Sequence, residues 1–444
     1  MASIPHSNFD SIGQKELVMM KSNIKNILII VVLAVLLHLV YFVQISESNA
    51  YLGYLPLKLD GISLIFSALM IGGVAFIVPA KVERPSDFFL LFYGMIVLLS
   101  CAVFSRVAAT VNQSSAIILF VMLLIPALVV KKFHILKFNF KIIGCFNANV
   151  LYYGLAAVIA LAGLVAATRG INTGFDWSSM YERRLEGRAK IGQENFIAYL
   201  LSMAVNGFAP FLGYVGVLRH KILLLICSIL FAVFSFWLEG SKAPFLMTLI
   251  FIIMGAMTRR NKLQKLPIVV SCGIIFICLL ALGEYAIFGF SDIAEIFVRR
   301  AFVVQGVLQS YFYNLITNYD LSSFLFGLDK SYGSVTFYVG SKYLGNSETN
   351  ANTNAFLYSF ANSGIFAYVG AILFVGLFFS ILDNFFYYFK RQDVFFVAAV
   401  YALLITEQAY TTAMVSSGVA VLTFIVWLMR SERRTSRKLM TVSG

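Results

Sequence analysis

Twelve apolar runs recur along this chain, at 25–45, 60–79, 87–107, 114–130, 150–168, 195–217, 221–238, 243–257, 266–288, 363–388, 394–410 and 412–429. Runs of about 16–24 residues match the thickness of a bilayer's hydrocarbon core, where a helix satisfies its own backbone. Only 12% of the 444 residues are charged, 60% are hydrophobic, and the mean hydropathy is +0.85. A globular surface in water needs more charge than that. The expectation is a single integral membrane domain over 1–444, all-α and polytopic, with about twelve transmembrane helices. Met1 to Gln14 lacks the basic, apolar and small-residue order of a cleaved leader, so the first run is expected to stay as a helix.

Loop charges set the expected orientation. One set of loops carries Lys15, Lys21, Lys25, Lys81, Arg84, Lys131, Lys132, Lys137, Lys141, Arg219, Lys221, Arg259, Arg260, Lys262, Lys265, Lys390, Arg391, Arg430, Arg433, Arg434, Arg437 and Lys438. That is 22 of the 34 basic residues, against 7 of the 21 acids. The positive-inside rule makes this set cytoplasmic, with both termini inside. The net charge of +13 then reflects topology, and nucleic acid is not an expected partner. Cys101, Cys227, Cys272 and Cys278 lie in apolar runs and Cys145 beside a basic loop, so no disulfide framework is expected.

Two long loops fall on the other side, 169–194 and 289–352. The second opens on Ser291-Asp292-Ile293-Ala294-Glu295, a helix start with acids in its first turn. A span over 296–316 would bury Arg299, Arg300, Gln305, Gln309 and Asn314. Each arginine near a helix centre costs about 2.5–3.5 kcal/mol. The segment therefore reads as an interfacial helix lying against the membrane face.

Three constellations on that side could carry chemistry. In the first loop Tyr181, Arg184 and Arg188 share a helical face, with Arg169, Arg183 and Lys190 nearby. Guanidinium forks suit phosphate and pyrophosphate, although a solvated face of Glu–Arg pairs fits as well. The second is Glu239-Gly240-Ser241-Lys242-Ala243-Pro244, a tight turn opening an apolar helix. Free N–H groups and a lysine there favour an anion, and Glu239 could be acid, base or simply the partner of Lys242. The third runs from Thr353 to Ile365, just after the asparagine-rich 346–352 with Asn352, and its amides at Asn354 and Asn362 with the aromatic rings Phe356, Tyr358 and Phe360 suit hydroxyl-rich ligands. Asparagine is equally at home in caps and turns. Glu284, Glu407 and Arg106, near span ends, are weaker candidates.

With these residues in place, the chain resembles the Wzy-type O-antigen (oligosaccharide repeat unit) polymerases. That family often opens an apolar helix with Gly/Ser-Arg, and Gly240-Ser241-Lys242 is similar with lysine for arginine. The wider superfamily, including the O-antigen ligases, has His-Asn, then Leu three residues on, then Gly-Leu/Ile seven further. Asn354, Leu357 and Gly364-Ile365 match that spacing, with Thr353 in the histidine position.

The resemblance implies a GT-C-like fold with short interfacial helices in two periplasmic loops of a bacterial inner-membrane protein. It implies a metal-independent, lipid-linked oligosaccharide glycosyltransferase without a cofactor. Its partners would be undecaprenyl-pyrophosphate-linked donor and acceptor glycans in the bilayer, with a chain-length regulator as a candidate. The expected roles are Lys242, Arg183, Arg184 and Arg188 toward pyrophosphate, Arg169 and Tyr181 as further substrate contacts, and Arg299 and Arg300 as a second basic site. Glu239 is the first choice of base and Glu348 the second, because histidine is absent from that side. Asn352 and Asn354 are expected at the sugar. A lipid-linked oligosaccharide flippase and a ligase are the competing readings, the ligase weakened by the missing histidine.

Overall fold

The computed structural model describes residues 7–57, 61–108, 110–138, 144–168, 196–239, 242–318, 320–329, 331 and 333–429, except for the side chains of 7–23, 238–239 and 242–243. Among them the chain is all-α, and its one bridge joins Phe146 to Met429. Seven helices are long and apolar enough to cross a membrane: Ile24–Ser48, Ser86–Phe104, Gln113–Phe133, Ala148–Ala167, Phe196–Leu218, Leu263–Phe288 and Ala355–Phe389. Five shorter apolar helices are Gly61–Ile77, Ile222–Trp237, Pro244–Arg259, Asp393–Leu404 and Val419–Leu428. Each apolar run read from the sequence overlaps one of these twelve helices.

Contacts gather the chain into two compact units. One holds Met1–Val82, Phe89–Lys132 and Lys265–Phe374, the other Glu83–Phe88, Phe133–Gln264 and Val375–Gly444. In the first, Leu33, Leu37, Tyr41, Tyr93, Phe104, Phe312 and Phe356 are fully buried, while Leu28, Ile62, Leu69 and Phe76 are among the exposed apolar side chains. Lipid is as apolar as leucine, so close packing rather than water exclusion must hold such helices together.

That requirement is visible at Gly306. A Cβ there would come within 2.6 Å of Phe104 Cβ and 2.7 Å of the Ser100 carbonyl oxygen. The helix Val304–Thr317 therefore lies tight against the helix ending at Phe104, and residues 305–313 are all buried. Residues 305–313 are thus inner members of their unit, whereas Ile296, Phe297 and Arg300 earlier in the segment are exposed. Gln309 Nε2 donates to the Val97 carbonyl at 3.2 Å, so part of its polarity is met by backbone.

Among the described residues four stretches widen to π-helix: Tyr41–Ile45, Tyr93–Leu98 and Ala294–Val303 in the first unit, and Ala204–Phe208 in the second. Such stretches re-aim side chains and concentrate at functional sites.

The helix Ala355–Phe389 is broken at Ser363 and Gly364. Gly364 has φ +77°, and a Cβ there would sit 2.1 Å from the Leu325 carbonyl oxygen. The end of helix Leu321–Phe326 occupies the gap, and Leu328 N–H donates to the Ala361 carbonyl freed by the break at 2.8 Å. Asp320 caps that short helix through Ser323, whose N–H and hydroxyl hold the carboxyl below the usual carboxylate range. Gly364→Ala is expected to lower the thermal midpoint of the purified protein, because both the left-handed backbone and the close approach exclude a side chain. Gly370→Ala, with open space around its Cβ, is the control and should melt near the unaltered chain. Equal melting of all three would mean the break does not constrain the fold.

Candidate functional site

The densest polar joint in the first unit forms where helix Leu266–Phe288 hands over to the segment beginning at Ser291. The first N–H groups of a helix have no partner in their own element. Here Glu284, near the end of the preceding helix, accepts from the Ser291 hydroxyl at 2.7 Å and the Ile293 N–H at 3.1 Å. Gln44 closes the other side with a pair of bonds: its Nε2 donates to the Ser291 carbonyl at 3.0 Å, and Ser291 N–H donates to Oε1 at 2.7 Å. Glu284 thus has a positional task within the fold.

One turn on, Arg299 pairs with Glu295, whose other oxygen accepts from Asn49 Nδ2 at 2.9 Å. The positive charge of Arg299 also acts on the Tyr54 hydroxyl. Burial pushes that phenol up to about 12, against the opposing pull of Arg299, so it stays protonated at neutral pH. Arg300 behaves differently. It is exposed, and among the described residues it has neither a hydrogen-bond partner nor an ion-pair partner. The two expected members of a second basic site are therefore unequal, one committed to the fold and one free. Arg106 donates to Ser63 at 2.7 Å and Ser67 at 3.4 Å, which ties it to helix Gly61–Ile77.

The rest of 289–352 is folded onto the same unit. Tyr311 and Tyr343 stack with centroids 4.7 Å apart and planes 8° from parallel. Asn314 Nδ2 donates to the Tyr343 hydroxyl at 3.3 Å, and Lys342 lies over the rings of Tyr338 and Tyr343. After helix Val335–Leu344 the chain turns at Gly345 and runs back, Ala351 N–H donating to the Thr336 carbonyl at 3.2 Å. Glu348 is exposed in that turn, its N–H held by Asn346 Oδ1 at 2.8 Å. Asn352 is exposed as well.

Asn354 is fully buried and caps helix Ala355–Phe389, its Oδ1 accepting from Phe356 N–H at 3.2 Å and Leu357 N–H at 3.1 Å. That geometry gives its acceptor to the fold. Its Nδ2, and the equally buried Thr353 hydroxyl, have no protein partner.

The remaining expected residues belong to the second unit or to undescribed stretches. Glu239 ends the helix Ile222–Glu239 and Lys242 opens Lys242–Arg259, but both side chains lie outside the described residues. Arg169, Tyr181, Arg183, Arg184 and Arg188 lie outside them altogether. The first unit therefore brings Arg299, Arg300, Glu348, Asn352 and Asn354 into one folded body. Gln44, Asn49 and Tyr54 are additional members of the joint. Their only sequence signal is polarity at the end of an apolar run.

Among the described residues no group of three or more His, Cys, Asp or Glu could hold a metal ion. No family model, no curated protein and no solved structure matches this chain.

Proposed function

We propose that the chain polymerises undecaprenyl-pyrophosphate-linked oligosaccharide repeat units on the periplasmic face of a bacterial inner membrane. In this reading twelve helices span the bilayer with both termini inside. A hydroxyl at the acceptor's non-reducing end attacks the donor's anomeric carbon, a carboxylate takes its proton, and the lipid pyrophosphate leaves. Cations stabilise the charge that develops on the leaving group, which removes the need for a metal. Lys242 and the arginines of 169–194 are the proposed cations, Glu239 or Glu348 the proposed base, and Asn352 a proposed sugar contact.

The observation that supports this most is the folded state of 289–352. A polar segment of this length, tied down at Ser291, Tyr343 and Ala351, holds a free arginine, an exposed carboxylate and an exposed amide on a membrane-embedded body. The flippase reading draws on a different feature, the broken helix at Ser363–Gly364, since transporters use discontinuous helices. Purified protein in detergent separates the two. A polymerase should lengthen lipid-linked repeat units there, whereas a flippase needs a sealed membrane. Absence of elongation with fresh donor and acceptor would count against the polymerase.

The orientation has its own test. In a cysteine-free background, cysteines at Ser179 and Ser334 should react with an impermeant thiol reagent added to intact spheroplasts, and one at Ser436 should not. Labelling at Ser436 would invert the topology and remove the periplasmic assignment.

A further inference from the structure

Three helices of the second unit enclose a slot of about 340 Å³: the later half of Ala355–Phe389, with Asp393–Leu404 and Val419–Leu428. It runs from Phe385, Val394 and Trp427, at the end of the unit that carries Arg391, inward to Phe378, Met414 and Ala420. Thr423 brings the one hydroxyl, and it donates to the Val419 carbonyl at 2.8 Å. Cavities walled this way stay dry, and one of roughly 150 Å³ already takes up benzene. Phe424, also in the wall, is 51% exposed, so the slot opens on the surface that faces lipid.

Its depth is set by helix Phe196–Leu218. Arg219, just past that helix, lies 3.5 Å from Asp393, which opens the slot's second wall. Twelve residues before Arg219, a Cβ on Gly207 would come within 2.5 Å of the Ser417 carbonyl oxygen. Ser417 therefore stands about 18 Å above the Arg219 level, at the helical rise per residue. Half of a hydrocarbon core is about 15 Å. The slot ends near Ala420, three residues below Ser417 on the returning chain, and so is as deep as one leaflet.

The mouth is built for a headgroup. Tyr387 and Tyr388 are 67% and 38% exposed at the same end as Trp427, and such rings gather where chains meet headgroups. Lys390 is exposed there, 5.4 Å and 5.0 Å from the ring centres of Phe386 and Tyr387. In the sequence Arg430, Arg433, Arg434, Arg437 and Lys438 follow Met429, with Glu432 the one acid among them. A basic cluster beside a membrane draws anionic lipid.

We infer that this slot holds an acyl chain of an anionic glycerophospholipid from the leaflet on the basic side, with its phosphate near Lys390. The depth matches one leaflet's chain, and the charge at the mouth selects the headgroup. The site stands apart from the proposed reaction, which belongs to the opposite face.

Trp427 reports on the slot directly. The full chain carrying Trp177→Phe and Trp237→Phe keeps it as the sole indole. Reconstituted in phosphatidylcholine, this parent is titrated with phosphatidylglycerol or phosphatidylcholine brominated on the acyl chains. The brominated phosphatidylglycerol should half-quench Trp427 at about a fivefold lower fraction, the preference one basic residue confers at a membrane surface. Ala420→Phe, which fills the deep end, should remove that preference while the thermal midpoint holds. Lys390→Gln combined with Arg430→Gln, Arg433→Gln and Arg434→Gln leaves the slot's shape alone and should level the two lipids, which decides the matter even if Ala420→Phe does not fold. Equal quenching by the two lipids in the parent would overturn the site. So would a preference that survives in folded Ala420→Phe or in the charge variant. Undecaprenyl phosphate relieving the quenching at a lower fraction than unbrominated phosphatidylglycerol would also overturn it, by giving the slot to an isoprenoid.

Discussion

Asp393→Ala is expected to lower the stability of the purified protein by about 3–5 kcal/mol, the usual consequence of removing one partner from a buried ion pair. Asp393 is fully buried in the second unit. It accepts from Arg391 Nη2 at 2.7 Å and from the Tyr152 hydroxyl at 3.3 Å, and Arg219 Nη2 lies 3.5 Å away. Arg391, itself 6% exposed, also donates to the Met429 carbonyl at 3.0 Å. One carboxylate thus joins helix Ala148–Ala167, the end of helix Ala209–Leu218, the start of helix Asp393–Leu404 and the end of helix Val419–Leu428. Without it two guanidinium groups would face each other with no anion between them. Thermal unfolding in detergent reads the effect. Asp393→Asn should lose less, because it keeps the shape and one acceptor. The double change Asp393→Ala with Arg391→Met should regain part of the loss, since an apolar pair of similar volume avoids the unpaired charge. A double variant no better than Asp393→Ala would mean that cavity formation, not charge, sets the cost.

The elements of this fold were legible wherever one local rule decided them. Most runs of some twenty apolar residues are helices, because nothing else satisfies their backbone in lipid; 394–410 stays helical only to Leu404, and 412–429 is interrupted before Val419. The capping role of Asn354 follows from the same local grammar, with Oδ1 on the second and third N–H groups beyond it. What the sequence concealed was burial that depends on a distant neighbour. Gln305, Gln309 and the two arginines argue against 296–316 as a membrane span, yet composition does not show that Gln305 and Gln309 are buried against protein. That burial is possible because Gly306 admits Phe104 at contact distance, while Arg299 is paired with Glu295. Neither partnership shows in a hydropathy profile. The break at Gly364 is similar: Ser-Gly is a weak signal until the Leu325 carbonyl is seen in the space a Cβ would fill. The inequality of Arg299 and Arg300 could not be read at all, since adjacent arginines are the same letter and differ only in which way the π-helical turn points them.

Lys242→Ala is expected to cut chain elongation by about a hundredfold or more. Lys242 opens the helix Lys242–Arg259, and a helix N-terminus already carries partial positive charge that attracts anions. In the proposed reaction negative charge grows on the departing pyrophosphate, so a cation fixed there stabilises the transition state more than the bound donor. Losing one such donor costs roughly 2.7–4 kcal/mol, which sets the hundredfold scale. Lys242→Arg should largely preserve activity, because a guanidinium supplies the same charge with more donors. Glu239→Gln separates the two halves of the turn: it keeps shape but not basicity, so it should abolish elongation if Glu239 is the base. The readout is the ladder of polymer lengths made by the purified protein, with expression and thermal midpoint measured alongside. A loss of elongation with an unchanged melting curve supports catalysis at this turn. Should Lys242→Ala give a normal ladder, the lysine is no more than the partner of Glu239. The leaving-group cation would then have to be sought at Arg300, the one free arginine among the described residues of 289–352.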